Sequence, residues 1–163
     1  MHRTATLALC GLLLTACGGG KSDDTDGNSV IGDGIRPVVS SAEYACFTDT
    51  NGGKYFYFRI KAEDEQGADT IEVLGARVLF KSPGGDPLDW DQDGEPNPDD
   101  YLELICAADT DPRRCEGSLL ESAISGECSG TNLVFEGWVI DADGNESDHT
   151  ENFEENGAIA PAG

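Results

Sequence analysis

The sequence predicts an all-β domain, an antiparallel sandwich of about seven strands. Two observations predict it. The first is alternation. Within Tyr55–Ala62, Phe56, Phe58, Ile60 and Ala62 share one parity, while Tyr55, Tyr57, Arg59 and Lys61 share the other, and Asn132 to Ile140 is a second clear strand. Successive side chains on a strand point to opposite faces, so this pattern marks a strand with one face on a core. The second is punctuation: turn-forming clusters recur every eight to twelve residues, the spacing of a sandwich.

Taken in order, Pro37-Val38-Val39 and Ala42 to Phe47 predict a first strand with a break between them, and Thr48 to Gly53 a turn. The alternating strand of Tyr55–Ala62 follows, and Glu63 to Asp69 turns the chain. Thr70 to Lys81 is the next β run. Ile71 and Val73 lie on one parity, but Ala76, Val78 and Phe80 on the other, which predicts a bulge or break at Gly75. Pro83-Gly84-Gly85 is a turn, and Tyr101 to Cys106 resumes a strand with Leu102 and Leu104 on one face. Gly117 to Gly126 fits a short helix as well as a strand. After the strand ending at Ile140, Asp143-Gly144 predicts a hairpin turn. A last short strand is expected from Glu146 to about Phe153. The domain is therefore set at 35–154, with a loose tail at 155–163.

Two stretches, Ala62-x-Asp64-x-x-Gly67 leading into Ile71, and Val139 to Ser147 with its Asp-x-x-Gly-Asn-x-Ser pattern, resemble strand edges of bacterial immunoglobulin-like and fibronectin type III-like domains. The resemblance covers roughly Ile35 to Phe153 and implies an immunoglobulin-like strand order, with an acidic loop insertion and a cysteine loop as departures.

Ahead of the domain stands a leader. Met1-His2-Arg3 is a short positive start, Ala5 to Leu14 is apolar, and Leu14-Thr15-Ala16-Cys17 precedes Gly18-Gly19-Gly20. The apolar run is too short for a membrane span, which needs about 20 residues. The Leu-Thr-Ala-Cys ending resembles the lipobox of bacterial lipoproteins. That resemblance implies a signal peptide over 1–16, cleavage before Cys17, and lipid on its thiol. Gly at position 18 rather than Asp points by the same resemblance to the outer membrane. Residues 17–34, rich in Gly, Ser, Asp and Asn, cannot bury enough apolar surface to offset ordering entropy and read as a flexible tether.

The most distinctive motif is Asp89-Trp90-Asp91-Gln92-Asp93-Gly94-Glu95-Pro96-Asn97-Pro98-Asp99-Asp100. Aspartates at loop positions 1, 3 and 5, Gly at 6, Asn at 9 and Asp at 12 follow the pattern of a calcium loop. The loop resembles the EF-hand and, more closely, the Asp-rich loops of thrombospondin type 3 repeats. The resemblance implies Asp89, Asp91, Asp93, Asn97 and Asp100 as side-chain ligands, with the Glu95 carbonyl as another. Position 12 lacks the longer Glu, and Pro83, Pro87, Pro96 and Pro98 oppose flanking helices, so a structural calcium ion rather than a sensor is expected. The alternative is a solvated acidic loop.

The formal charge is −22; removal of the leader takes Arg3 and no acid, leaving nine basic residues against 32 acidic ones, net −23. Such a chain is no partner for nucleic acid, whose affinity rests on Lys and Arg at phosphates. Setting aside Cys10 and Cys17 leaves Cys46, Cys106, Cys115 and Cys128. An even number in an exported domain predicts disulfides, and four cysteines allow three connectivities. The expected pairs are Cys106–Cys115, closing a short loop, and Cys46–Cys128. A zinc site is the weaker alternative, since no Cys-x-x-Cys occurs and His149 is the one histidine left.

His149 beside Asp148 does not make a catalytic pair, because strand neighbours point to opposite faces. The expectation is therefore not an enzyme but a surface interaction, adhesion or scaffold module that meets the membrane through its lipid and presents loops to another envelope protein. A carbohydrate-binding module using Tyr55, Tyr57, Trp90 and Trp138 as an aromatic platform for a glycan is the alternative, and a hydrolase a weaker one.

Overall fold

The computed structural model describes residues 36–64, 67, 71–89, 95–97, 99–108, 110, 112–124, 127–128 and 132–159. The leader, the tether with Cys17, and Trp90, Asp91 and Asp93 lie outside the described residues.

The fold is all-β. The strands are β1 (Val38–Thr48), β2 (Lys54–Glu63), β3 (Ile71–Lys81), β4 (Tyr101–Cys106), β5 (Arg113–Leu120), β6 (Val134–Asp141) and β7 (Glu154–Glu155). They form one curled sheet in the order β6-β3-β4-β5-β2-β1-β7. One layer is β1-β2-β5 and the other β4-β3-β6, all antiparallel, joined where β4 meets β5 at Ile105↔Glu116 and Cys106↔Cys115. One pairing departs from the expected antiparallel set. β7 runs parallel to β1 over Glu43↔Glu154 and Tyr44↔Glu155, because the chain crosses from the edge of one layer to the edge of the other after β6.

The predicted parities hold. Phe56, Phe58, Ile60 and Ala62 of β2 face Ala76, Val78 and Phe80 of β3 across a core that also takes Leu104, Phe135 and Val139. The register of β3 against β6 shifts between Ile71 and Ala76, where the parity flip at Gly75 predicted a bulge, and β1 shifts against β2 between Val39 and Ser41. Phe58 meets Phe80, Phe135 and Phe153 edge to face at 5.4, 5.0 and 6.0 Å. Each such pair contributes about 0.5–1.5 kcal/mol beyond its buried area. Gly137 makes room for Phe153: a Cβ there would lie 2.7 Å from the Phe153 ring and 2.9 Å from Ile60.

Three expectations change. The 117–126 stretch is both of its alternatives in turn: β5 runs to Leu120, and Glu121–Ala123 forms a single 3-10 turn. Glu146 to Phe153 is not a continuous strand but two isolated bridges, Ile140↔Glu146 and Gly137↔Thr150. The segment expected as a tail from residue 155 starts inside β7, and Ile159 is buried against Ala45 and Tyr57.

Registers fix the two ends of the sandwich. The chain enters at Arg36 beside Val38↔Glu63, and Thr48↔Lys54 and Tyr55↔Leu120 mark the far end. β5 runs toward that far end and β4 runs against it, so Tyr101 lies at the far end, as does Lys81, two residues beyond its neighbour Leu79. The 82–100 connection therefore leaves and returns at the end opposite the chain's entry.

Candidate functional site

The acidic connection is the site the sequence singles out. Its described parts are Ser82–Asp89, 95–97 and Asp99–Asp100. The first part is a tight turn: Ser82 N–H donates to the Asp86 carbonyl (2.8 Å), and Leu88 N–H to Phe80 (2.8 Å). The last part folds around Asp100, which is buried. One Asp100 carboxylate oxygen accepts the Asn97 backbone N–H at 3.0 Å, and the other accepts the Asn97 side-chain amide at 3.0 Å. The Asn97 carbonyl oxygen of the side chain accepts the Asp99 N–H at 2.7 Å. Positions 9 and 12 of the predicted loop thus bind each other. Among the described residues no three His, Cys, Asp or Glu side chains converge as metal ligands. The donor set is all hard oxygen, which suits calcium rather than a softer metal.

Both expected disulfides form. Cys106 and Cys115 stand opposite each other on β4 and β5 and clip the two layers together. Cys46–Cys128 ties β1 to the chain beyond the 3-10 turn, across 82 residues of sequence. Cys46–Cys128 lies toward the far end, where the acidic connection starts, and Cys106–Cys115 at the seam nearer the end where the chain enters.

The aromatic platform does not assemble. Tyr57 is buried beneath Phe47 and Ile159. Tyr55 stacks on Phe47 at 4.9 Å and donates its hydroxyl to Asp49 at 3.3 Å. Burial, with Asp49 nearby, pushes the Tyr55 hydroxyl up from its ordinary range. Trp138 is on the other layer and only 5% exposed, and Trp90 lies outside the described residues.

Trp138 belongs instead to a charged aromatic face on β6, β3 and β4. Arg77, opposite Trp138, lies 4.3 Å over the Tyr101 ring. Tyr101 meets Trp138 edge-on at 5.8 Å, and His149 stacks on Trp138 at 4.4 Å. Glu136 takes His149 Nδ1 at 2.8 Å on one oxygen and Lys81 at 2.6 Å on the other. Lys81 also reaches Glu151 at 2.8 Å. Hydrogen bonds donated to these carboxylates, to Glu136 first, hold the Lys81 ammonium above its ordinary value. Burial works to raise the Glu136 carboxyl, yet hydrogen bonds from Lys81 and His149 outweigh it and hold the group low.

His149 therefore pairs with Glu136 and not with its neighbour Asp148, which contacts Arg36 at 3.4 Å. Ser147 is no free nucleophile: its hydroxyl accepts the Val139 N–H and donates to the Asp148 carbonyl. Sequence reasoning missed the Lys81–Glu136–His149–Glu151 group because three separate segments contribute to it. No protein-family model matches the chain, and comparison with curated proteins and with solved structures gives no match either.

Proposed function

We propose that this chain is a lipid-anchored envelope protein whose β-sandwich is a non-catalytic interaction or scaffold module, stiffened by calcium in its acidic loop. One observation carries the reading. The chain enters at one end of the sandwich, and the 82–100 connection leaves and returns at the other. An anchor at Cys17, followed by a tether, would therefore turn the acidic end away from the membrane, toward another envelope protein or the surrounding matrix. Acyl chains contribute about 0.8 kcal/mol per buried CH₂, and stable anchoring takes more than one chain.

Asp89, Asp91, Asp93, the Glu95 carbonyl, Asn97 and Asp100 would hold the ion. Bound calcium would screen carboxylates that otherwise repel one another and so fix the connection between β3 and β4. The two disulfides support the same reading, since an exported domain keeps them oxidised.

Two measurements test this. In a bacterial host, labelled fatty acid should be incorporated by the parent and not by Cys17→Ser, which should leave the membrane fraction. Label retained in Cys17→Ser ends the anchoring part. Calorimetry of the purified mature chain should show calcium binding and a higher melting temperature, because a ligand specific to the native state stabilises it by about 2.7 kcal/mol at a hundred times its Kd. Both should vanish in Asp91→Asn/Asp93→Asn; no heat and no shift in the parent at millimolar calcium would refute the ion.

A further inference from the structure

We infer that Cys46–Cys128 is an exchangeable bond, opened by an external dithiol through a cleft beside Lys54, while Cys106–Cys115 is a fixed one. The two bonds differ in access. Cys106 and Cys115 are 3% and 0% exposed and lie in the core. Cys128 is buried too, but its partner Cys46, on β1, is only half-buried. A cavity of ≈ 110 Å³, bounded by Phe47, Thr48, Lys54 and Glu121, reaches both cysteines. Exposed disulfides are the labile ones, because a thiolate must touch a sulfur to break the bond. The charges of the cleft favour that approach. Glu121 is already engaged: one oxygen accepts the Cys128 N–H at 2.7 Å, and the other lies 3.8 Å from Lys54. Lys54, mostly exposed, offers its ammonium to an incoming thiolate.

The exchange balances. One thiolate of the dithiol attacks Cys46 Sγ; the Sγ–Sγ bond breaks, and its electron pair leaves on Cys128. Cys128 Sγ lies 3.4 Å from the Tyr55 carbonyl oxygen, so once protonated from solvent it can donate there. The second thiolate of the dithiol then attacks the first dithiol sulfur and releases Cys46, which takes up a proton in turn. The protein gains two electrons and two protons, and the dithiol becomes a disulfide. The hydrogen bond from Cys128 N–H to Glu121 does not need the S–S link, and it keeps Cys128 in place for the bond to re-form. The two bonds also differ in reach. Cys46–Cys128 spans 82 residues against 9 for Cys106–Cys115, and a longer loop constrains the unfolded chain more. Opening the exchangeable bond therefore loosens the domain more than opening the fixed one.

Dithiothreitol acting on the folded mature chain at about pH 8 tests this, with new thiols trapped by N-ethylmaleimide and located by peptide mass mapping. Cys46 and Cys128 should be alkylated at least about tenfold faster than Cys106 and Cys115, at a rate that rises in proportion to dithiol. Opening of Cys106–Cys115 first overturns the inference. So does a common rate for the two pairs, or a rate that levels off as dithiol rises, since either means that the fold must open before a thiol can enter. Lys54→Glu should slow the Cys46–Cys128 reaction roughly two- to fivefold, the scale of one exposed charge, and leave the Cys106–Cys115 rate unchanged. An unslowed reaction would rule out entry by the cleft, and the inference with it. Neither readout involves the acidic loop or the anchor.

Discussion

Two aspartate-bearing turns, at Asp141 and at Asp100, solve the same problem at opposite ends of the sandwich. Asp141, the last residue of β6, is fully buried. One of its oxygens accepts the N–H groups of Asp143 and Asn145 at 2.9 and 2.8 Å, and the other accepts the Asn145 side-chain amide at 2.8 Å. Gly144, at φ 85°, bends the chain so that these amides can point back. Among the described residues, Asp100 draws two N–H groups, both from Asn97. The first turn brings three donors to one carboxylate. The connection holding Asp100 carries Asp86, Asp89, Asp91, Asp93, Glu95 and Asp99 as well. The difference is one of local supply: the Asp141 turn brings its own amides, and it is for the Asp100 connection that a cation is proposed.

Breaking this contrast begins at the better-satisfied turn. Asp141→Ala leaves three donors without their acceptor in a buried place, and hydrogen bonds to a charged group are each worth about 1.5–3 kcal/mol. The variant should lose about 3 kcal/mol or more in urea unfolding, with or without calcium. Asp141→Asn should lose less, since one side-chain oxygen remains to accept. Asp100→Ala strands only the Asn97 donors near the surface and should cost about 1–2 kcal/mol without calcium. With calcium the gap between parent and Asp100→Ala should widen, because the variant also loses a ligand. Equal losses at the two positions in calcium-free buffer would abolish the distinction drawn above.

Asp141 was also the more legible of the two. Asp141, Gly144, Asn145 and Ser147 lie within seven residues, and Asp143-Gly144 marked the turn, though the strand expected beyond it is only two isolated bridges. The β2 face was legible for a similar reason, since Phe56, Phe58, Ile60 and Ala62 show their period in one window. Closure of the sandwich was not. Phe153 and Ile159 are single apolar residues among acids and small residues, with no period to read. Their burial depends on the space left by Gly137, and on Ala45 and Tyr57, all distant in sequence. For the same reason alternation assigned Tyr57 to a solvent face that Ile159 in fact covers. At 89–100 the sequence supplied a ligand pattern, and the structure adds that positions 9 and 12 already bind each other.

A third carboxylate, Glu136, shows what happens when the partners are cations rather than amides. Its carboxyl is held low, so its contribution to stability is present above the unfolded value, about 4.3 for Glu, and is lost as pH falls through the lower folded value. The raised Lys81 ammonium contributes below its unfolded value, about 10.4, and loses that as pH rises through the folded one. Between those limits the pair is fully formed. Lys81→Met should cost less than about 1 kcal/mol at neutral pH and should flatten the acid limb of stability against pH. An acid limb as steep as the parent's would show that Glu136 draws its stabilisation from elsewhere.

The smallest effect is expected at Asp49, which repeats the Asp141 device on the open surface. Its Oδ1 accepts the N–H of Gly53 at 2.7 Å and of Asn51 at 2.8 Å, around Gly52 at φ 85°. The Gly53 amide, helped by the Asn51 amide, holds the carboxyl below its ordinary value against the opposite pull of burial. The sign follows that of Glu136: stability is gained above about pH 3.9 and lost on acidification. Water competes for every one of these bonds, so Asp49→Ala should change neutral stability far less than Asp141→Ala does. Its signature should be in the slope. Urea unfolding between about pH 3 and 5 should take up less than one proton fewer per molecule in Asp49→Ala than in the parent. A neutral-pH loss matching that of Asp141→Ala would mean that amide count, not burial, ranks these turns.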